Sequence, residues 1–314
     1  MSRSDAPSKP TVVPGGPRSG PGRGPKRRRG FGSPSLASAP LRLAGDDSAH
    51  FRRGLRSAQR VTAGLAALLL VGAAASAEIP EGERRSGFDF MSRETQEMQR
   101  DDSANPGMLW VREGEALWSK KAGPSERACA DCHSDAKSSM RGVAARYPAY
   151  SEAAGRPIDL EQRINECRSE RQGAKPLPYE SQELLALSTY IGHQSRGLPI
   201  APPRDERLDA FRERGRALYE ARQGQLNLSC ALCHDDHWGR RLAGNPVPQA
   251  HPTGYPLYRL EWQGVGSLRR RLRNCLVGMR AEAYPYGAPE YVDLELHLMS
   301  RAAGMPLETP AVRP

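Results

Sequence analysis

All six cysteines of this 314-residue chain fall into one recurring pattern. Cys129-Ala-Asp-Cys132-His133 and Cys230-Ala-Leu-Cys233-His234 are two Cys-x-x-Cys-His motifs, and each is followed by a lone cysteine, Cys167 and Cys275. Two thiols at this spacing can bond to the vinyl groups of a porphyrin while the adjacent imidazole reaches its iron. Each motif therefore marks covalent attachment of a c-type haem. The expected cofactors are two covalently attached haem c groups, held by Cys129, Cys132 and His133 and by Cys230, Cys233 and His234.

Three readings compete for the lone sulfurs. Cys167 and Cys275 could form a disulfide, the default for a spare pair in an exported protein. They could be buried structural thiols. Or each could supply the second axial ligand of its own haem, where thiolate is an alternative to the commoner Met. Met140, Met279, Met299 and Met305 are the Met candidates, and His193, His237, His251 and His297 the His candidates. Arg269, Arg270, Arg271, Arg273 and Arg280 surround Cys275, whereas Cys167 sits among Arg163, Arg168 and Arg171 mixed with Glu161, Glu166 and Glu170. The plain reading of the arginines is a solvated helix face. The sharper one is an anion site, since cations favour thiolate and a guanidinium grips an oxyanion through paired hydrogen bonds.

The elements that position these groups form an internal duplication. Trp110-x-x-x-Gly114-x-x-Leu117-Trp118 precedes the first motif and Phe211-x-x-x-Gly215-x-x-Leu218-Tyr219 the second, and this spacing is one helix face. A glycine inside each helix predicts a second helix crossing closely there. Candidates for the crossing helices are 183–197 and 290–304, which align without a gap. Ser181 and Pro289 would start them, and Gly197 and Gly304 would end them as C′ glycines ahead of Pro199 and Pro306. Arg163-Ile164-x-x-Cys167 likewise matches Arg271-Leu272-x-x-Cys275. Equivalent cysteines in two domains should face their own haems, which favours axial ligation. The fold class expected is all-α, two tandem cytochrome c-like domains with long loops; no strand pattern competes, and 204–206 is the expected linker.

Residues 1–50 are rich in Pro, Gly, Ser and Arg and cannot bury a core. Arg52, Arg53, Arg56 and Arg60 then lead into an apolar run over 61–75 that is too short to span a membrane, followed by Ala75-Ser76-Ala77. This predicts a secretory signal peptide cleaved near Ala77, a periplasmic protein and no membrane anchor after cleavage. The leader, 1–77, holds 13 of the 46 basic and 3 of the 36 acidic residues, leaving 33 of each. The sequence pI of about 9.5 thus belongs to the leader and does not indicate nucleic-acid binding. The expected divisions are 78–107, an N-terminal extension; 108–203, the first domain; and 204–314, the second, with the active site.

Ser86-Gly-Phe-Asp-Phe-Met-Ser92, Asn105-Pro-Gly-Met-Leu-Trp-Val111, Met279-Arg-Ala-Glu-Ala-Tyr-Pro-Tyr-Gly-Ala-Pro-Glu-Tyr291 and Gly304-Met-Pro-Leu-Glu-Thr-Pro310 resemble the SoxA family over essentially all of 78–314. SoxA is the dihaem subunit of the SoxAX cytochrome of bacterial sulfur oxidation. The resemblance implies L-cysteine S-thiosulfotransferase activity: oxidative conjugation of thiosulfate to a cysteine of the carrier SoxY, of the SoxYZ complex. Electrons would leave through haem, with the monohaem cytochrome SoxX as heterodimer partner. It implies His/Cys axial ligation of both haems, by His133 and Cys167 and by His234 and Cys275. It also implies that Cys275 is the catalytic residue, found as a persulfide in the family, and that Arg271 binds substrate. Some members have lost the first haem, but this chain keeps Cys129, Cys132, His133 and Cys167. The alternative is a dihaem electron-transfer cytochrome without its own catalysis. A dihaem peroxidase would need one iron with an open site.

Overall fold

The structure is a computed structural model and describes residues 79–314. The leader and the cleavage site near Ala77 lie outside the described residues. Among the described residues no helix is long and apolar enough to cross a membrane. The helices are, in order, α1 (Arg93–Arg100), α2 (Met108–Trp118), α3 (Ala130–His133), α4 (Ala136–Ser139), α5 (Leu160–Gln172), α6 (Gln182–His193), α7 (Asp209–Glu220), α8 (Cys230–His234), α9 (Leu268–Gly278) and α10 (Pro289–Arg301). Short strands lie between them: β1 (Ala149–Ser151), β2 (Arg156–Ile158), β3 (Arg241–Leu242), β4 (Asn245–Pro246), β5 (Leu257–Arg259), β6 (Gly264–Gly266) and β7 (Val312–Arg313).

The duplication holds element by element. α2, α3, α5 and α6 repeat as α7, α8, α9 and α10. In each half the first helix crosses the last at its glycine. A Cβ on Gly114 would overlap the Ala186 carbonyl oxygen, and one on Gly215 would overlap that of Asp293. Both glycines are there because helix backbones touch. Trp118 then meets Tyr190 edge-on at 6.0 Å between centroids, and their counterparts Tyr219 and His297 pack at 5.3 Å. His297, a candidate axial ligand by residue type, is thus buried against Tyr219 at the helix crossing.

Helix starts follow the capping chemistry. Ser181 accepts from Leu184 N at 3.3 Å, Asp159 and Gln162 form a capping box at α5, and Pro289 opens α10. The ends differ from expectation. α6 and α10 stop at His193 and Arg301, and Gly197 (φ 80°) and Gly304 (φ 84°) lie in the turns that follow, where left-handed φ favours glycine. These turns join the two halves. Gly197 N donates to Leu307 O and Gly304 N to Ile200 O, each at 2.8 Å, while Ile200 N donates to Met305 O and Leu307 N to Leu198 O. The four bonds are related by exchanging the repeats, so the junction is a pseudo-two-fold. Ala145, Ile200, Met299, Ala302 and Leu307 form an apolar cluster beside it.

Strands are the other departure. β1 pairs with β2 and β5 with β6 as equivalent antiparallel hairpins, and β7 adds in parallel to β5. Strands of two or three residues are too short to display an alternating pattern. Residues 79–107 pack on the second repeat. Gln249, fully buried, accepts from Arg85 N at 2.6 Å and donates to Glu83 O at 3.1 Å, and Asn105 donates to Pro310 O at 2.9 Å.

Candidate haem and catalytic sites

In the first repeat, α3 follows a tight loop closed by the Ala122–Arg127 bridge. The Asp131 carboxylate accepts from Ala128 N at 2.8 Å, which fixes the turn carrying Cys129 and Cys132. Trp118 donates from Nε1 to Ser134 O at 3.0 Å and lies 5.8 Å from the His133 ring. A cavity of about 460 Å³ opens in front of them. Cys129, Cys132 and His133 line it together with Cys167 of α5, and Leu160, Ile164, Leu187 and Ile191 supply apolar walls. Paired thiols, an imidazole and a separate sulfur around a large apolar cavity are the donor set and shape that a haem c needs. Burial pushes the Cys167 thiol up, partly offset by Arg163.

In the second repeat, α8 is capped by Ser229, which accepts from Leu232 N at 3.1 Å. His234 Nδ1 lies 2.6 Å from Pro248 O. That contact would leave Nε2 to hold a haem iron, and a carbonyl in this role would orient the imidazole. His234 shares a hydrogen bond with Cys275. Burial pushes the Cys275 thiol up, but this bond and the charges of Arg271 and Arg259 outweigh it, and the thiol falls below its ordinary value. Cys230, by contrast, is pushed up to about 12, chiefly by burial.

All six cysteines are free. Each lone sulfur lies close enough to its own motif to influence it electrostatically, Cys167 on Cys129 and Cys275 on Cys230. This overturns the disulfide reading, because the duplication points each sulfur into its own half. Met279 is buried with Leu276 and Tyr291, and Met299 and Met305 belong to the junction cluster; Met140 lines the first cavity. Nδ1 of His251 lies 2.9 Å from Arg85 O, and that of His237 lies 2.6 Å from Leu232 O.

The five arginines do not act together. Arg269 is buried, pairs with Asp159 and lies 4.3 Å over the Tyr179 ring. Arg270 lies over Trp262 at 4.2 Å. Arg273 covers Tyr286 at 4.4 Å and donates to Tyr284 O. Arg280 is exposed. Arg271 alone of the five takes its main electrostatic stabilisation from Cys275. Two residues that motif reading missed share this site, Tyr255 and Arg259, each of which senses both Arg271 and Cys275. The repeated Tyr-Pro dipeptide, Tyr147-Pro148 and Tyr255-Pro256, was the available signal; both bonds are cis.

A family model described as SoxA/TsdA, cytochrome c domain, matches residues 113–200 and 214–307. The L-cysteine S-thiosulfotransferase subunit SoxA of Pseudaminobacter salicylatoxidans is 40% identical over 242 residues, covering 76% of this chain and 85% of that protein. The chain belongs to the SoxA family. The SoxA subunit of Rhodovulum sulfidophilum is 38% identical, over 74% of this chain and 80% of its own length. The crystal structure of SoxXA from P. pantotrophus superposes with a TM-score of 0.71 at 32% identity, covering 74% of this chain and 87% of that one. Membership of SoxA, with its cytochrome c domains, makes this a haem c-binding chain.

Proposed function

We propose that this chain is the dihaem, thiosulfate-conjugating subunit of a periplasmic sulfur-oxidising cytochrome, with haem domains at 108–203 and 204–314. The names of its SoxA relatives, L-cysteine S-thiosulfotransferase subunits, support the activity. The likeness to SoxXA supports a heterodimer with the monohaem cytochrome SoxX. Haem c would be held through Cys129, Cys132, His133 and Cys167 and through Cys230, Cys233, His234 and Cys275. When bound, the haem supplies an electron acceptor beside the reacting sulfur.

The single observation that carries the reading is the sulfur of Cys275 beside Arg271. Thiosulfate is a small dianion. Arg271 would bind its sulfonate oxygens and turn the outer sulfur toward Cys275. A bond between Cys275 Sγ and that sulfur would form with loss of two electrons, for which a haem held by Cys230, Cys233 and His234 would be the acceptor. The SoxY cysteine thiolate then attacks the thiosulfate-derived sulfur, takes the S–SO3⁻ group and releases the Cys275 thiolate. A plain electron carrier has no need of an arginine at its ligating sulfur that, among the described residues, forms no ion pair; Arg163, which acts on Cys167 in the first repeat, is paired with Glu166 at 2.7 Å. The test is Cys275→Ala with both haems loaded, assayed for thiosulfate conjugation to SoxY. Turnover is expected to vanish, and retained turnover would overturn the reading. Mass spectrometry of the same sample reports signal cleavage, haem content and persulfide together.

A further inference from the structure

The residue after each motif histidine closes its helix, Ser134 at α3 and Asp235 at α8. The two repeats secure that position differently. In the first, the contacts are neutral: Trp118 donates from Nε1 to Ser134 O at 3.0 Å, and Gln194, just past α6, turns back to Tyr190 O at 2.9 Å. All three of these positions change in the second repeat, to Tyr219, Asp235 and Arg301. The Tyr219 hydroxyl donates to Asp235 Oδ1 at 2.8 Å. Arg301 Nη2 donates to the same oxygen at 2.5 Å, and its guanidinium lies 4.7 Å over the Tyr219 ring. Both charged side chains are buried, Arg301 at 8% exposed and Asp235 at 4%. Tyr219 also packs in one apolar cluster with Cys230 and Ala231 of α8. A carboxylate next to the motif histidine His234 is thus tied to α7 and α10 at once.

A buried ion pair stabilises a fold poorly compared with a neutral contact of similar volume, and the first repeat shows that neutral contacts close this position. The charges therefore call for another reason, and the site beside them supplies one. Hydrogen bonds and fixed charges just outside a ligating imidazole tune the metal it holds. We propose that Asp235 and Arg301, with Tyr219, are positioning residues of the second haem site. They hold the end of α8, and with it His234, and their opposed charges set the reduction potential of the second haem and not of the first. The proposal rests on the reading of both motifs as haem sites. A carboxylate here favours the oxidised, more positive iron, and a guanidinium favours the reduced one. Paired, they offset each other, so α8 is anchored without biasing the haem that would accept electrons from the Cys275 sulfur.

The test uses the full holoprotein with its partner cytochrome, both haems of this chain confirmed by mass. A redox titration followed by low-temperature EPR reads each haem, and the first haem is the internal control. Asp235→Asn leaves Arg301 unbalanced and should raise the potential of the second haem, favouring reduction by about tenfold, or about 59 mV for one electron. Arg301→Gln leaves the carboxylate unbalanced and should lower the potential comparably. Arg301→Lys keeps the charge and should restore the wild-type potential to within about twofold in the same equilibrium. Opposite signs for the two members of one contact are not what a purely structural role produces. Asp235→Asn is nearly isosteric and still accepts from Tyr219 and Arg301, so it keeps the test intact if Arg301→Gln fails to fold. Shifts of the same sign, no shift in Asp235→Asn, or equal shifts in both haems overturn this proposal and leave the site reading standing. Fewer than two haems in the wild-type chain would instead overturn the reading on which it rests.

Discussion

Glu161 on α5 and Arg269 on α9 hold the same register position in the two repeats, and they face each other across the pseudo-two-fold at 3.8 Å. Asp159 adds a second carboxylate to Arg269, and all three side chains are buried. Duplicated sequence normally places like beside like at a two-fold. Here the two copies differ at this position, and the contact is between a carboxylate side chain and a guanidinium.

Removing one partner of a buried pair leaves an uncompensated charge. Arg269→Met should destabilise the protein by about 3–5 kcal/mol, read as the midpoint of denaturant unfolding of the holoprotein. A change under about 1 kcal/mol would mean that water already reaches the pair.

Glu295, on α10, faces the same cluster. Burial first, and then repulsion from Asp159, raise its carboxyl from the ordinary 4.5 to about 8, with Arg269 opposing. A carboxyl raised on folding takes up a proton as the chain folds. Its contribution to stability is complete below about pH 4.5 and is lost as pH rises through about 8. Glu295→Gln should therefore flatten the decline of Tm between those limits, and an identical pH profile would rule out its protonation.

Gly114→Ala and Gly215→Ala put a Cβ onto a crossing backbone. Each should cost about 1–3 kcal/mol or more, since strain forces the helices apart. Cooperative unfolding followed by circular dichroism measures it. Wild-type stability in either variant would contradict the close crossing.

The two sulfurs can be separated spectroscopically. Cys167→Ala should remove the thiolate-ligated low-spin signal of one haem and Cys275→Ala that of the other, while Cys129, Cys132, Cys230 and Cys233 keep both haems attached. Low-temperature EPR resolves the losses, and an unaltered spectrum in either variant would refute that ligand. Thiosulfate conjugation should survive only in the first.

The sequence by itself determined the haem motifs, the duplication, the crossing of helices at Gly114 and Gly215, and the equivalence of Cys167 and Cys275. Each of these is local or repeated chemistry, carried by fixed spacing along one chain. Tertiary structure alone decided which arginine serves which site. On paper Arg269, Arg270, Arg271, Arg273 and Arg280 form one basic run. Successive positions on a helix point in different directions, so folding sends Arg269 to Asp159, Arg270 to Trp262 and Arg273 to Tyr286, and leaves Arg271 with Cys275. It also brings in Arg259 from a strand on the far side of a hairpin, because the energy of a charge at a buried sulfur depends on distance in space and not along the chain.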